Sequence, residues 1–431
     1  MYAAELMRTN QIDRPTDLKT LCLTCKEFRE LATPILYRSI HLFVGGQQDL
    51  RLIPFLGRDN PGIPHIREMF LRLEKITLPD KRRHYHSDES SDEEEVEQDT
   101  TIPGQRAQFT VGLILERLPP NILEIFSWQA WEPCSVDNFL LLCKKQKSLR
   151  VIDIGPMDRE LSPVLEKHPQ IFNELSQLHS VDMYPDTLDR LKVCQKVLKD
   201  KPRVEYLCIS NSFDYSNEDP DDLHDSSTRP GLLSRTLFSH MMPFDRCDPL
   251  ILKNLDMDTI ELRYAAETWL KLIKFSSLER LEIRNCAGAE AVWAKLSKPH
   301  LQPSGLKSLR WMDDYTVEPH ALEAFEGFLE ALPGLETLDV VVNKMRALPK
   351  VAAITHHRKT LVSLSVHSQQ NNTTVHEYSD EDFSRICDQC IELRQCKQNH
   401  PTSTSCILTD RKYRLCFRKP RLSLLPLVPN S

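Results

Sequence analysis

The chain of 431 residues has a formal net charge of -7, and 40% of its residues are hydrophobic against 27% that are charged. This balance predicts a globular protein without affinity for nucleic-acid backbones or anionic membranes, and no window approaches the roughly 20 apolar residues of a membrane span. The charge balance therefore favours a protein as the partner. The 13 cysteines fit buried, reduced thiols better than a disulfide framework, so we expect a cytoplasmic or nuclear location.

Residues 12–42 predict two short helices. The first begins near Asp17, where an acidic side chain favours a helix N-terminus. The apolar side chains at helical spacing are Leu18, Leu21, Phe28, Leu31 and Ile35. On pattern alone, residues 1–42 form a small helical segment that caps whatever follows.

An acidic stretch separates these helices from most of the chain. Residues 43–80 are interpreted as a linking strand/helix unit with a first irregular repeat, and residues 81–108 as a disordered loop. Ser87 to Asp99 alone contains eight acidic residues. The loop is either a solvated spacer or a regulatory segment in which Ser90 and Ser91 are phosphorylated by an acid-directed kinase.

A six-residue phrase, apolar-x-x-apolar-x-apolar, recurs within residues 109–396 and is the strand signature of leucine-rich repeats. Its copies are Leu149-Ile152-Ile154, Leu178-Val181-Met183, Val204-Leu207-Ile209, Leu252-Leu255-Met257, Leu278-Leu281-Ile283, Leu306-Leu309-Trp311, Leu335-Leu338-Val340 and Leu361-Leu364-Val366, with a weaker one at Ile122-Ile125-Ser127. Copies start 26 to 29 residues apart, except for one interval of 48 that contains an acidic insertion at residues 211–230.

The segments between the phrases predict helices. Pro319 to Leu332 has apolar residues at helical spacing, opens with proline and stops at Pro333-Gly334, and Asp186 to Leu198 is similar. One strand, turn and helix in each repeat predict an α/β fold. The expected architecture is a leucine-rich-repeat solenoid, or horseshoe, with a small N-terminal α-helical cap.

One column of residues lies between the second and third apolar positions of each phrase. Because side chains alternate along a strand, we expect the column to face solvent on the concave side. Its acidic members, the candidate substrate-binding residues, are Asp153, Asp182, Asp256, Glu282 and Asp339. The column is either an acidic stripe that receives a basic peptide or an ordinary solvated row relieved by Arg280, Arg284 and Arg310.

Several cysteines have a spacing that resembles metal ligands. They are Cys22 and Cys25, and Cys387, Cys390 and Cys396 with His400 beyond. Because neither group fits a common zinc pattern, we interpret the cysteines as buried thiols and expect no metal.

Catalytic motifs are absent from the sequence. It contains no glycine-rich phosphate loop, nucleophile elbow or metalloprotease helix, so we expect neither enzymatic activity nor a cofactor. After the repeats, residues 397–431 are interpreted as a basic, irregular tail.

The amino-terminal segment followed by repeats resembles fungal F-box proteins. Their F-box contains Asp-Leu-x-x-Leu-x-Leu-x-x-Lys-x-Phe-x-x-Leu, then Pro-x-Leu-Tyr-x-x-Ile-x-Leu. The second part is matched by Pro34, Leu36, Tyr37, Ile40 and Leu42. The resemblance implies binding to the small adaptor of an SCF-type cullin-RING ubiquitin ligase, with the repeats selecting a protein substrate. The adaptor-binding residues that it implies, which also match the first part, are Asp17, Leu18, Leu21, Leu23, Lys26, Phe28 and Leu31.

The sequence departs from that family at its start. A complete F-box begins with Leu-Pro and a first helix containing Glu-Ile or Glu-Leu, whereas Met1 to Gln11 offers Glu5-Leu6 at most. Two functions therefore stay open. One is a substrate-recognition subunit of the ligase, and the other is a leucine-rich-repeat scaffold that binds a protein without ubiquitin-ligase association.

Overall fold

Strands and helices alternate along the chain in the computed structural model, and the chain divides into two compact units, Met1–Lys201 and Pro202–Ser431. The expected mixed α/β fold is therefore confirmed. The structure describes residues 15–44, 57, 60–73, 101–129, 133–153, 155, 160–168, 170–185, 187–200, 203–211, 231–313, 319–343, 347–370, 374–375, 378–398 and 405–407.

In the described part of the first unit, five parallel strands are paired in chain order. The strands are β1 (Ser39–Val44), β2 (Glu68–Leu73), β3 (Ile125–Gln129), β4 (Val151–Asp153) and β5 (Ser180–Met183). The helices are α1 (Pro15–Thr24), α2 (Lys26–Arg38), α3 (Thr101–Arg117), α4 (Val136–Lys145), α5 (Leu161–Lys167) and α6 (Leu188–Asp200). The two predicted N-terminal helices are thus confirmed.

The second unit has the same alternation. Its strands are β6 (Tyr206–Ser210), β7 (Asn254–Asp258), β8 (Arg280–Arg284), β9 (Ser308–Asp313), β10 (Thr337–Asn343), β11 (Ser363–Gln370), β12 (Thr374–Val375), β13 (Gln395–Gln398) and β14 (Ser405–Ile407). Its helices are α7 (Leu232–Leu237), α8 (Ala266–Leu272), α9 (Ala289–Leu296), α10 (Pro319–Ala331), α11 (Val351–Thr355) and α12 (Asp380–Gln389). Strands β6 to β11 and then β13 pair in parallel, whereas β12 and β14 pair antiparallel with β11 and β13.

The recurring apolar phrases form the cores of both units. Leu278, Leu281 and Ile283 are all fully buried, and so is every described member of the eight strong copies. Only Ile154 among those members lies outside the described residues. The predicted burial of the phrases is therefore confirmed. Residues between the buried positions face the opposite side of the strands, which we call the open face.

The helices of the repeats also agree with the sequence pattern. Helix α10 ends one residue before the predicted limit at Leu332, and α6 begins two residues after the predicted Asp186. Their apolar faces are buried apart from Leu188, which is 55% exposed at the start of α6, and aromatic rings fill the space between neighbouring repeats of the second unit. The rings of Trp293 and Phe328 stack with centroids 5.0 Å apart.

A repeated hydrogen-bond pattern fixes the register of the strands. The Glu279 carbonyl accepts bonds from the N–H groups of Lys307, at 2.9 Å, and Ser308, at 3.0 Å, and equivalent pairs recur between the strands of both units. In some repeats a hydroxyl adds a third bond, as where Ser277 Oγ donates to the Leu252 carbonyl at 2.9 Å. These bonds satisfy backbone groups that burial would otherwise leave without partners.

The prediction of the weaker phrase at Ile122-Ile125-Ser127 is wrong, because the buried positions lie one residue later. Leu123, Phe126 and Trp128 are buried there, and Phe126 is in register with Ile152 of β4. Both frames place apolar residues at the first two positions, so the spacing alone did not separate them. Pairing with β4 selects the frame that buries the two aromatic rings.

Strand β2 lies within residues 43–80, where the sequence predicted a first irregular repeat. Met69 and Leu71 of β2, and Ile66 just before it, are buried at the spacing of the phrase, and β2 pairs in parallel with β3. Helix α3 begins at Thr101, inside the predicted loop 81–108, because Ala107 and further apolar residues along it are buried.

Several predicted segments lie outside the described residues. They are Met1 to Gln11, residues 81–100 of the acidic loop, residues 212–230 of the acidic insertion and most of the tail 397–431. Within the tail, β14 is described, and its antiparallel pairing with β13 differs from the parallel pairing of the repeats.

Candidate functional site

Helices α1 and α2 present apolar side chains to solvent. Leu23 is 82% exposed, and Leu31 and Ile35 are 46% and 44% exposed. Leu31 and Ile35 are four residues apart and therefore lie on one face of α2. We call these three side chains the helix-pair surface. Exposed large apolar side chains that recur on one small element are typical of protein-binding surfaces.

The seven predicted adaptor-binding residues do not share one environment. Leu18 is buried, so its side chain packs inside the helix pair, and Leu21 and Phe28 are half-buried. The exposed members are Asp17, Leu23, Lys26 and Leu31. Lys26 Nζ lies 3.8 Å from the Glu30 carboxylate with both side chains in solvent, which makes a weak ion pair.

The helix pair is continuous with the sheet and is held together by its own contacts. Helix α2 leads directly into β1, and its Ala32 and Thr33 are buried. Arg29 Nε donates to the Cys22 carbonyl at 3.2 Å and links the two helices. The interpretation of Cys22 and Cys25 as buried thiols is wrong: Cys22 is half-buried, and Cys25 is exposed because the chain turns there before α2.

The predicted acidic column of the second unit lies on the open face. Asp256, Glu282, Arg310 and Asp339 are in register across β7 to β10. Adjacent strands lie about 4.8 Å apart, so each charged side chain is within reach of its neighbours. The column is therefore one connected row of charged side chains, in which Arg310 lies between Glu282 and Asp339, rather than a set of separate carboxylates.

Glu282 is the centre of an ion-pair network. Its carboxylate lies 2.8 Å from Arg280, 3.1 Å from Arg310 and 3.3 Å from Arg284. Only 3% of Glu282 is exposed, so the prediction that the whole column faces solvent is wrong at this position. The three guanidinium groups cover the carboxylate.

The same arginines bind the other acidic side chains of this row. Arg284 donates two bonds to Asp256, at 2.9 and 3.2 Å, and lies 3.3 Å from Asp258. Arg310 lies 3.0 Å from Asp339. The interpretation that these arginines relieve the row is therefore confirmed for Asp256, Glu282 and Asp339.

Ion pairing and burial act in opposite directions on these groups. Burial raises the pKa of Asp256, although the attraction of Arg284 partly offsets this. Burial lowers the pKa of Arg284, but the nearby carboxylates of Asp256 and Asp258 outweigh it and raise the pKa above its ordinary value. Arg284 therefore stays a cation, held in a fixed position by two acids.

The first unit arranges its part of the column differently. Asp153 and Asp182 are in register on β4 and β5. Ser127 Oγ donates to Asp153 Oδ2 at 2.6 Å, and the Gly155 N–H donates to the other oxygen at 3.4 Å. Burial raises the pKa of Asp153, and these two hydrogen bonds oppose that shift. In the part of the chain that the structure describes, Asp153 forms no ion pair with a lysine or arginine.

Sequence reasoning missed an aromatic group on the same open face. His41 of β1 and Phe70 of β2 are in register, and their rings stack with centroids 4.5 Å apart at an angle of 9°. Phe43 of β1 is 45% exposed. The alternation of His41, Leu42 and Phe43 could have indicated a strand with an aromatic outer face, but this strand lies outside the repeats that the phrase identified.

The remaining predicted sites are buried or outside the described residues. Cys387, Cys390 and Cys396 are buried free thiols, as expected. Burial raises the pKa of Cys390 to about 11, whereas a hydrogen bond with Cys396 lowers that of Cys387. No group of three or more metal-binding side chains occurs among the described residues. The candidate phosphorylation sites Ser90 and Ser91, and also His400, lie outside them.

Comparison with known proteins does not assign the chain to a family. No protein-family model matches the chain, and no curated protein is significantly similar to it. Within the described residues, every helix is too short or too polar to cross a membrane.

Proposed function

We propose that the protein is a substrate-recognition subunit of an SCF-type cullin-RING ubiquitin ligase. In this proposal the helix-pair surface binds the ligase adaptor, the repeats bind a protein substrate, and the chain itself is not an enzyme and acts in the cytoplasm or nucleus. The observation that carries the proposal is the exposure of Leu23, Leu31 and Ile35 on two helices directly before a sheet. Two of these residues, Leu23 and Leu31, match the F-box pattern.

We further propose that the strand and helix units are leucine-rich repeats. The supporting observation is that three apolar residues of each phrase are buried at the same positions in successive parallel strands. A unit of this kind buries its apolar side chains only against its neighbours, so the array stacks and leaves one sheet face open for a partner. Such arrays bind through exposed residues of that face.

Adaptor binding is tested with the purified full-length chain and the purified ligase adaptor. We expect co-purification with the unmodified chain and loss of at least about tenfold in affinity when Leu23, Leu31 and Ile35 are all changed to Ser, because the apolar contact is lost. Isothermal titration calorimetry measures the affinity, and circular dichroism checks that each variant is folded.

A matched control uses apolar side chains that are equally exposed elsewhere. Phe109, 70% exposed, and Leu113 lie one turn apart on α3, and changing both to Ser should leave adaptor affinity within twofold. If the folded, unmodified chain does not bind the adaptor, or if the control variant weakens binding as much as the triple variant, the ligase assignment is wrong. The scaffold without ubiquitin-ligase association is then the function that fits the repeats.

A further inference from the structure

The residues directly before successive strands form a row along the edge where the strands begin. In the first unit these residues are Arg38, Arg67, Glu124 and Arg150, which stand before β1, β2, β3 and β4. Backbone hydrogen bonds fix their order. The Arg67 N–H donates to the Arg38 carbonyl at 2.9 Å, and the Arg150 N–H donates to the Glu124 carbonyl at 2.8 Å. Neighbouring members are therefore about 4.8 Å apart. We call these four residues the entry row.

The second unit has a row of the same kind, in which acidic and basic residues alternate. Its members are Glu205, Lys253, Glu279, Lys307 and Glu336. Lys253 Nζ lies 2.8 Å from the Glu205 carboxylate, and Lys307 Nζ lies 3.6 Å from that of Glu279. Each of these two lysines therefore has a carboxylate of its own, and the row balances their charges internally.

The entry row of the first unit has more cations than acids. Three guanidinium groups converge on Glu124: Arg38 and Arg67 each lie 3.9 Å from its carboxylate, and Arg150 lies 4.0 Å from it. These separations are at the limit of an ion pair. Glu68 adds a second carboxylate, 3.6 Å from Arg38. Among the described residues, three positive charges thus share two negative ones in this group, although the whole chain has a net charge of -7.

The three arginines are accessible to a partner. The side chains of Arg38 and Arg150 are 60% and 56% exposed, and that of Arg67 is 33% exposed. Arg67 Nη1 donates to the Pro64 and Ile66 carbonyls, both at 3.0 Å, which holds this guanidinium in place without neutralising its charge. A guanidinium presents its N–H donors in a planar fork that fits a carboxylate, so the entry row favours an acidic ligand.

We propose that the entry row binds an extended acidic segment of a partner protein through Arg38, Arg67 and Arg150. The row from Arg38 to Arg150 covers three strand spacings, or about 14 Å, and an extended peptide places every second side chain on one side, about 7 Å apart. Acidic residues at three alternate positions therefore reach from one end of the row to the other. The entry row shares no residue with the helix-pair surface or the acidic column, so the inference goes beyond the proposed function and does not require adaptor binding.

The test uses the full-length chain and a fluorescein-labelled peptide in which glutamate alternates with threonine over about nine residues, which is longer than the row when extended. Fluorescence anisotropy gives the dissociation constant. We expect saturable binding that weakens with added salt, and no binding of the matched peptide in which glutamine replaces glutamate. The double variant Arg38→Gln with Arg150→Gln should weaken binding at least about tenfold, because two of the three cations are lost. Both side chains are more than half exposed, so the variant should fold, which circular dichroism checks.

The matched control removes two cations from the equivalent row of the second unit. Lys253→Gln with Lys307→Gln changes the net charge by the same amount, but these lysines are already paired, so the dissociation constant should stay within about twofold. A third variant, Arg38→Lys with Arg150→Lys, keeps both charges and loses the guanidinium fork. It should bind the peptide more tightly than the Gln variant and less tightly than the unmodified chain.

Three outcomes with the peptide would overturn the proposal. They are absence of binding of the acidic peptide, an unchanged dissociation constant in the Arg38 and Arg150 double variant to Gln, and equal weakening by the lysine control. A single-stranded RNA of equal length that binds more tightly than the peptide, and depends on the same arginines, would also overturn it, because the row would then be a nucleic-acid surface.

A further variant tests whether the acidic stretch of the chain itself occupies the entry row. Changing Glu93, Glu94 and Glu95 to Gln should leave peptide binding within about twofold, and binding that is tighter by more than about tenfold would assign the row to that stretch instead of a partner. Adaptor binding, measured on the unmodified chain, separates this inference from the proposed function. A chain that binds the peptide but not the adaptor supports the inference and contradicts the ligase assignment.

Discussion

This protein accommodates buried ionisable side chains in two ways. Glu282 is charged and ion-paired, whereas His357 is kept neutral. Glu282 is surrounded by three arginines, so its charge is balanced within the sheet. His357 is 1% exposed on the chain between α11 and β11, where its ring meets that of His356 edge-on at 5.3 Å. Burial, with a smaller contribution from His356, lowers the pKa of His357 to about 4. The side chain is therefore held in its neutral form.

We predict that protonation of His357 destabilises the fold in mildly acidic solution. Its pKa is lowered from 6.5 to about 4, so the unfolded chain binds the proton more readily than the folded chain between these values. The contribution of His357 to stability is complete above pH 6.5 and is lost as the pH falls through 4, by about 3 kcal/mol in all. Urea unfolding at a series of pH values measures this loss.

The contribution of His357 is isolated by comparing the slope of unfolding free energy against pH between variants, rather than their absolute stability. His357→Gln removes the titrating group and should flatten the decline in unfolding free energy between pH 6.5 and 4. His300→Gln changes an exposed histidine and should leave the decline as it was. Equal slopes in the unmodified chain and in the His357 variant would refute the assignment.

The sequence predicted the burial of a residue correctly where the apolar character of that residue determined it. It predicted burial poorly where packing against a neighbouring element determined it. Leu281 is buried as its phrase predicted. Leu18 and Leu31 were placed together by the F-box pattern, but one is buried and the other is 46% exposed. Their difference arises from packing between α1 and α2, which spacing along one helix does not contain.

At the scale of elements, the open face of the second unit joins four strands through side chains. Arg284 connects β8 to β7, and Arg310 connects β9 to both β8 and β10. The sequence placed Arg280, Arg284 and Arg310 near the acids but did not pair them. Pairing depends on the register across strands, which the hydrogen bonds between repeats fix.

We predict that Glu282→Gln destabilises the chain by about 2 to 3 kcal/mol. Removing one partner of a fully buried ion pair costs about 3 to 5 kcal/mol, and partial hydration of the arginines reduces that value here. The control Glu279→Gln lies immediately before the same strand, where Glu279 pairs with Lys307 at 3.6 Å in solvent, and should cost under about 1 kcal/mol. Chemical unfolding of both variants checks the order, and equal losses would contradict a central role for Glu282.

At the scale of the whole chain, a short repeated phrase predicted more of the fold than any local propensity. Its copies gave the strands, their order and their buried face, because each repeat solves the same packing problem. The frame at Ile122 was wrong, and β1, which begins within the predicted helical segment 1–42, was not recognised as part of the array. The ion-pair network of the open face is formed by residues between the apolar positions, where the phrase imposes no identity.

The stacking of units predicts how far the destabilisation caused by one core substitution extends along the strands. Leu281 is fully buried in β8, between β7 and β9, and Leu281→Ala should lower the unfolding free energy by about 2 to 5 kcal/mol, because a cavity replaces the side chain. Stability in a repeat array is a sum over neighbouring units, so hydrogen exchange should accelerate most in β7, β8 and β9 and less in β11. Leu23→Ala, at a side chain 82% exposed, should change neither quantity. Uniform acceleration across the second unit would instead indicate that its repeats unfold as one cooperative block.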